Sequence, residues 1–126
     1  MKKRLIWIVL AGLLVLGLTR PAAAAYSDVP ADHWAAEAVA RATELGLFQG
    51  EGGGKFGLGR PITRAAFATA LTRLFGWEEV RPDRPSYIDV ARESWYYGAV
   101  EAVQANGAVD ASNHEFRPED NLTRDE

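Results

Sequence analysis

The chain of 126 residues contains no cysteine, and that absence removes three options at once. There can be no disulfide framework, no thiolate metal site, and no lipid attachment through an N-terminal Cys. Histidine is almost as scarce: only His33 and His114 occur, too far apart in sequence for metal-ligand spacing. The motifs Gly-x-Ser-x-Gly, His-Glu-x-x-His and the P-loop are missing as well. The carboxylate pairs Glu78-Glu79 and Glu119-Asp120 fall in polar linker or loop, where a solvated surface explains them. One oxygen-rich run, Asp110-Ala111-Ser112-Asn113-His114-Glu115, invites a calcium reading. An EF-hand counted from Asp110 needs Gly at its sixth position and Glu at its twelfth, and those positions hold Glu115 and Asn121. The expectation is a protein that is not an enzyme and needs neither metal nor cofactor.

Acidic residues are also missing from one whole stretch. None of the 17 lies in residues 1–25, whereas Lys2, Lys3, Arg4 and Arg20 do. Lys2 to Arg4 form a positive leader, Leu5 to Leu18 an uncharged apolar run of 14 residues, and Ala22 to Ala25 a small-residue cleavage site. That order is the pattern of a cleaved export signal, and the run is short for a spanning helix, which wants about 20 apolar residues. Residues 1–25 are therefore expected to be removed after export. The remainder carries ten basic and 17 acidic residues, a formal charge of −7. This balance opposes a nucleic-acid binder that works by neutralising phosphates. Nine of those ten cations are Arg, with Lys55 the exception, and Arg suits bidentate capture of carboxylate or phosphate.

What is present is a repeat. Tyr26–Ala66 lies over Tyr87–Glu126 with a single one-residue gap. Tyr26-Ser27-Asp28-Val29 matches Tyr87-Ile88-Asp89-Val90, and Trp34, Val39 and Gly46 match Trp95, Val100 and Gly107 at a spacing of 61. After the gap, Phe56 matches Phe116 and Thr63-Arg64 matches Thr123-Arg124 at a spacing of 60. Self-similarity of this kind marks units that bury their apolar faces against one another. Each unit reads as helix, loop, helix. Asp32 is the expected N-cap of the first helix, with Trp34, Ala38, Ala42 and Leu45 on its apolar face and Gly46 ending it. A Gly-rich loop from Gln49 to Gly59 follows, pinned by Phe56. Thr63 opens a second helix running to about Phe75, with Phe67, Ala70, Leu71 and Leu74 on its apolar face and Gly76 as its stop. Residues 78–86 are a charged, Pro-bearing linker. In the second unit the helical face is Trp95, Ala99, Val100 and Val103. The expected organisation is a signal over 1–25, a full repeat over 26–77, the linker, and an incomplete repeat over 87–126. Because the chain stops where its last helix would begin, it is expected to be a fragment of a longer protein or a truncated reading frame.

Thr123-Arg124-Asp125-Glu126 is a capping box, with Thr123 as N-cap and Glu126 at N3. In the first unit Thr63 keeps the cap but Ala66 takes the Glu position, and Ile62 and Phe67 have the spacing of a hydrophobic staple. Arg64 and Arg124 are placed against the positive end of a helix dipole, which is locally unfavourable. Two readings of them stand side by side. Each is an anion receptor beside a helix N-terminus, or each pairs with a nearby acid such as Asp28 or Asp89.

The run Ser27-Asp28-Val29-Pro30…His33-Trp34-Ala35, Gly46…Gly54-x-Phe56…Ile62-Thr63-Arg64-Ala65 resembles the S-layer homology (SLH) repeat. So does Ile88-Asp89-Val90…Trp95…Gly107…Phe116-x-Pro118…Leu122-Thr123-Arg124-Asp125-Glu126. The resemblance covers nearly all of the chain after its leader. It implies an all-α fold of tandem helix-loop-helix repeats, commonly three around a pseudo-threefold axis, in a secreted protein of the cell wall, S-layer or cell surface. It further implies a non-catalytic anchor that binds an anionic, often pyruvylated, secondary cell-wall polysaccharide in grooves between repeats. Carried over residue by residue, the ligand-binding set is Arg64 and Arg124, with Trp34 and Trp95 as groove walls, Thr63 and Thr123, and Asp28 and Asp89 as orienting or capping acids. A core position for both Trp is the competing reading. Two departures stand out: Ala66 in place of the usual Glu, and Leu58 where the Phe-x-Pro pattern has Pro. The alternative function is that of an outer-membrane protein whose repeat, just after the signal, grips peptidoglycan.

Overall fold

The computed structural model describes residues 26–110 and 112–125; the export signal read over 1–25 lies outside them. Among the described residues three helices follow in order: α1 (Ala36–Glu44), α2 (Arg64–Phe75) and α3 (Tyr97–Ala105). Among the described residues the extended pairing is limited to two isolated bridges, Gly52 with Lys55 and Thr63 with Asn121. The fold is helix-dominated, as expected.

The helix stops are where glycine puts them. Gly46, Gly76 and Gly107 all have φ between 64° and 71°, the left-handed conformation that an L side chain enters only at a penalty. Around Gly46, Leu47 N–H donates to Ala42 and Gly46 N–H to Thr43; around Gly107, Ala108 donates to Val103 and Gly107 to Gln104. Trp77 and Gly76 repeat the pattern on Thr72 and Arg73. These paired bonds close the last turn and satisfy carbonyls that a helix end leaves orphaned.

The helix starts are less regular. Asp32 does not cap α1, which begins four residues later with Ala35 at the N-cap and no side-chain bond there. Successive turns intervene, with His33 N–H on Pro30 O and Ala36 N–H on His33 O, and the His33 ring takes the Ala35 amide at 3.2 Å. The second unit turns in the same way, through Ser94 on Ala91 and Tyr97 on Ser94. Thr63 does cap α2, its hydroxyl accepting from Ala66 N–H at 3.2 Å.

Burial departs from the expected faces of α1 and α2. On α1 the buried positions are Ala35 and Val39, whereas Trp34 and Leu45 are exposed. The reason is the position of the first unit's aromatics. Tyr26 hydroxyl bonds Thr43 Oγ1 at 3.2 Å, so the stripe Ala35, Val39, Thr43 faces inward, one residue round from the expected one. On α2 the expected Phe67 and Leu74 are exposed, as is Phe75, while Ala70 is buried and Leu71 packs against the core as expected; the other buried positions are the small residues Ala65, Ala68, Thr69 and Thr72. Small residues permit close approach to α3, and Thr72 Oγ1 lies 3.4 Å from the Ala99 carbonyl. The helix partner of α2 is thus α3 of the next unit, and α1 packs on neither helix. The main core collects Ala65 and Ala68 of α2 with Tyr87, Val90, Tyr96, Tyr97, Val100, Val103 and Phe116. Ala99, Val100 and Val103 are buried as expected, and Trp95 is not.

Helix α3 is covered on its other side by the linker. Val80 N–H donates to Gly98 O at 3.2 Å, Tyr97 hydroxyl to Pro82 O at 2.6 Å, and Ser86 gives both its amide and its hydroxyl to Glu101. A Cβ on residue 98 would collide with the Glu79 side chain. Glu101 is only 3% exposed, and a buried carboxylate persists only where it is paired or hydrogen-bonded. The charged, Pro-bearing stretch is a strap held by side chains on successive turns of α3.

Each loop is gathered around one aspartate. Asp28 accepts from the amides of Phe56, Gly57 and Leu58 at 2.8, 2.8 and 3.1 Å. Asp89 accepts from Phe116 and Arg117 at 2.8 and 2.7 Å, and Pro118, lacking an N–H, cannot supply a third bond. The Tyr26 and Phe56 rings meet in a tilted arrangement with centres 5.4 Å apart, as do those of Tyr87 and Phe116.

The Phe56 amide, with those of Gly57 and Leu58, holds the Asp28 carboxyl below its usual range against the opposing effect of desolvation. A carboxyl depressed in the folded state contributes stability that is present above its unfolded pKa, near pH 4, and lost as pH falls through the lower folded value. Asp28→Asn is expected to lower the melting temperature at pH 7 and to flatten its fall as pH drops below about 4, as read by circular dichroism. Removing the strap's anchor with Glu101→Ala is expected to lower unfolding free energy by about 2 kcal/mol, measurable by urea titration.

Candidate functional site

A groove of about 400 Å³ lies where the two units meet. One side is the Gly-rich loop and its flanks, contributing Phe48, Glu51, Phe56, Gly57 and Arg60; its floor is one face of α2, and Trp95 of the second unit also lines it. The loop can fold back because its backbone turns at left-handed positions. Gly57 has φ +92°, and a Cβ there would come within 2.6 Å of the Glu51 carboxyl carbon. With Gly at 57, the Glu51 carboxylate lies over the backbone and pairs with Arg60 at 2.8 Å. In the second copy Arg117 holds the equivalent position at φ 57°, with Asp120 3.5 Å from its guanidinium.

The floor is a stripe on α2. Thr63, Ala66, Thr69 and Arg73 recur every three or four residues and all line the groove, as one helix face requires. Arg73 is exposed and donates to the Leu47 carbonyl at 3.3 Å. It has no acidic partner among the described residues. The groove therefore offers two guanidinium groups, one of them paired with an acid, beside aromatic and small hydroxyl side chains. An indole face suits the apolar face of a sugar ring, and guanidinium forks suit carboxylates or phosphates. The described residues contain no cluster of His, Asp or Glu that could hold a metal, nor a helix long and apolar enough to cross a membrane.

The residues singled out from the sequence separate in space. Trp95 and Thr63 line the groove; Trp34 is 89% exposed and stands outside it. Trp95 is 63% exposed, so neither Trp is a core residue. Asp28, half-buried, and Asp89, exposed, each cap their loop by accepting its amides. Arg64 turns away from the groove toward the second unit: its Nε donates to Phe116 O at 2.8 Å and its guanidinium lies 5.1 Å from the Phe116 ring centre. The amides of Arg64 and Ala65 go to the carbonyls of Asp120 and Pro118, both at 2.9 Å. Together with the Thr63 cap these bonds fill the first turn of α2, so that helix end is a junction between units and not an open anion receptor. Thr123 and Arg124 lie exposed in the last described turn. The sequence reading missed Arg60 and Arg73. A signal for Arg73 was available in the small-residue stripe that leads to it from Thr63; Arg60 had none.

The sequence model of the S-layer homology domain matches residues 25–68 and 86–126. The S-layer protein sap of Bacillus anthracis is 30% identical over 125 residues, covering 97% of this chain and 15% of that protein. The surface-layer 125 kDa protein of Lysinibacillus sphaericus is 35% identical over 94 residues, covering 74% of this chain and 8% of that protein. The middle cell wall protein of Brevibacillus brevis is 33% identical over 89 residues, covering 68% and 8% respectively. The chain thus spans a small fraction of the length of these relatives. Two family matches over more than half of the chain, an Asp-anchored loop and Schellman-closed helix in each copy, and relatives at the bacterial surface lead to one conclusion: the chain belongs to the S-layer homology domain family and is a secreted, cell-surface protein.

Proposed function

We propose that this chain is a non-catalytic anchor that binds an anionic secondary cell-wall polysaccharide, such as a pyruvylated one, in the groove between its two units. The observation that carries this reading is the convergence of Trp95 from one unit with Arg60 and Arg73 from the other around a single groove. In this reading the Trp95 indole stacks on a sugar ring, Arg73 takes the acidic substituent, and Thr63 adds a hydroxyl contact. Arg64 keeps the loop bearing Phe116 against α2 and so sets the spacing of the units, while Arg124 and Thr123 serve the corresponding place in the second unit. Asp28 and Asp89 shape the loops from within. Trp34 has no neighbour in this groove and serves a further contact with the polymer. The names of the relatives, S-layer and cell-wall proteins, support envelope anchoring in the same way.

The first test is co-sedimentation with purified cell-wall sacculi before and after chemical removal of the secondary polymer. Binding that vanishes with the polymer is the expected result; binding that survives stripping would replace the polymer with peptidoglycan as the partner. Trp95→Ala and Arg73→Ala are each expected to weaken binding about tenfold, with Arg73→Lys recovering only part, because an ammonium cannot form the bidentate fork. Arg64→Ala is likewise expected to weaken binding and Arg64→Lys to restore part of it, since Lys can replace one hydrogen bond but not the planar contact with Phe116. Equal binding by Arg64→Ala and the parent would remove Arg64 from the account.

A further inference from the structure

We infer that the Glu51 carboxylate is a placeholder, occupying on Arg60 the site that an acidic substituent of the polymer takes when bound. Its presence makes the groove selective for polymer-borne acids over small anions in solution. The inference rests on the anchoring role proposed above and gives Arg60 its part in it. Three ionised side chains line the groove: Arg60, Arg73 and Glu51. Glu51 Oε2 accepts from Arg60 Nη1 at 2.8 Å. The same carboxylate rests on bare backbone, since a Cβ on residue 57 would come within 2.6 Å of its carbon and 2.7 Å of its Oε1. A guanidinium on one side and a glycine on the other thus form a cradle that fits a carboxylate. The second copy has no such cradle, because Arg117 stands at the place of Gly57 and Asp120 at the place of Arg60, the two 3.5 Å apart.

Three features make the pair exchangeable. The side chains of Arg60 and Glu51 are 70% and 42% exposed, and an ion pair so exposed adds little net stability. Glu51 precedes the loop tip, where a Cβ on Gly52, Gly53 or Gly54 would meet nothing within 4 Å, so its side chain has open solvent to withdraw into. Arg60 also shares the groove with Trp95 and Arg73, and a ligand held by those two presents its next acid to Arg60 at high local concentration. A free anion has no such help. It must displace a carboxylate tethered beside the guanidinium, at an effective concentration on the order of millimolar or above. With two guanidinium groups against one carboxylate, the empty groove has one net positive charge instead of two. Glu51 therefore weakens every anion somewhat and small ones most, and specificity is the difference between those affinities.

Glu51→Gln keeps the shape of the side chain and removes its charge. Because the pair is exposed, the variant is expected to keep the parent's circular dichroism and melting temperature. Against sacculi that retain their secondary polymer, Glu51→Gln is expected to bind about threefold to fivefold more tightly than the parent, the scale of one exposed ion pair. In an Arg60→Ala background that gain is expected to disappear, since nothing remains for Glu51 to occupy. Inorganic phosphate, raised at constant ionic strength, is expected to displace Glu51→Gln from the sacculi at concentrations that leave the parent bound. Equal or weaker binding by Glu51→Gln than by the parent would overturn the inference. A gain that persists undiminished without Arg60 would do the same, making Glu51 a distant repulsive charge, as would equal sensitivity of the two proteins to phosphate. Parent binding without these differences would remove the placeholder and leave the anchoring role intact. No binding by either the parent or Glu51→Gln would overturn the anchoring role and this inference with it.

Discussion

A helix end must place its unpaired amides somewhere, and in this protein the answer for α2 lies in the other repeat. The carbonyls of Pro118 and Asp120 receive the amides of Ala65 and Arg64, and Leu122 N–H returns a bond to Ile62 O at 2.8 Å. These bonds join backbone to backbone across more than fifty residues of chain. Around them the Arg64 guanidinium covers the Phe116 ring, the small face of α2 closes on α3, and Trp95 is brought opposite the loop of the first unit. The groove is a by-product of that junction. Weaken the capping of α2 and its two walls no longer have a shared frame.

The same junction explains which features could be read from the sequence. Backbone punctuation is local, so Gly46, Gly76 and Gly107 as helix stops and Thr63 as a cap follow from the chemistry of single residues. The repeat is legible for the same reason: Asp28 and Asp89, Tyr26 and Tyr87, Phe56 and Phe116 perform the same local tasks twice. The buried face of α1 was not legible, and that of α2 only in part, through Ala70 and Leu71. Periodicity identifies a helix, but the choice of face depends on what packs against it, and the partner of α2 comes from the next unit. A pattern search favours Phe67 and Leu74 because they are large. The contact with α3 instead selects Ala65, Ala68 and Thr72, because close approach of two backbones needs small side chains.

Site residues divide along the same line. Asp28 and Asp89 announce themselves by recurrence and turn out to organise loops. Arg64 recurs as well, and its side chain reaches across to Phe116. Arg60 and Arg73 do not recur: position 60 corresponds to Asp120 in the second copy, and the chain ends before a counterpart to 73. A method that trusts repetition finds the scaffold of a repeat protein first. What is particular to one copy lies in the positions where the copies disagree, such as Gly57 against Arg117 and Ala66 against Glu126.

The linker shows how unlike two outwardly similar connections can be. Between Val80 and Ser86 the chain is fixed to α3 at three places, through Gly98, Tyr97 and Glu101. Its span is a fixed measure, and adding or deleting one residue would put at least one of those attachments out of step. The tip of the Gly-rich loop has the opposite character, since a Cβ on Gly52, Gly53 or Gly54 would meet nothing within 4 Å. Length variation among descendants of this repeat should therefore accumulate at that tip, where the two copies already differ by one residue, while the distance between successive units is preserved.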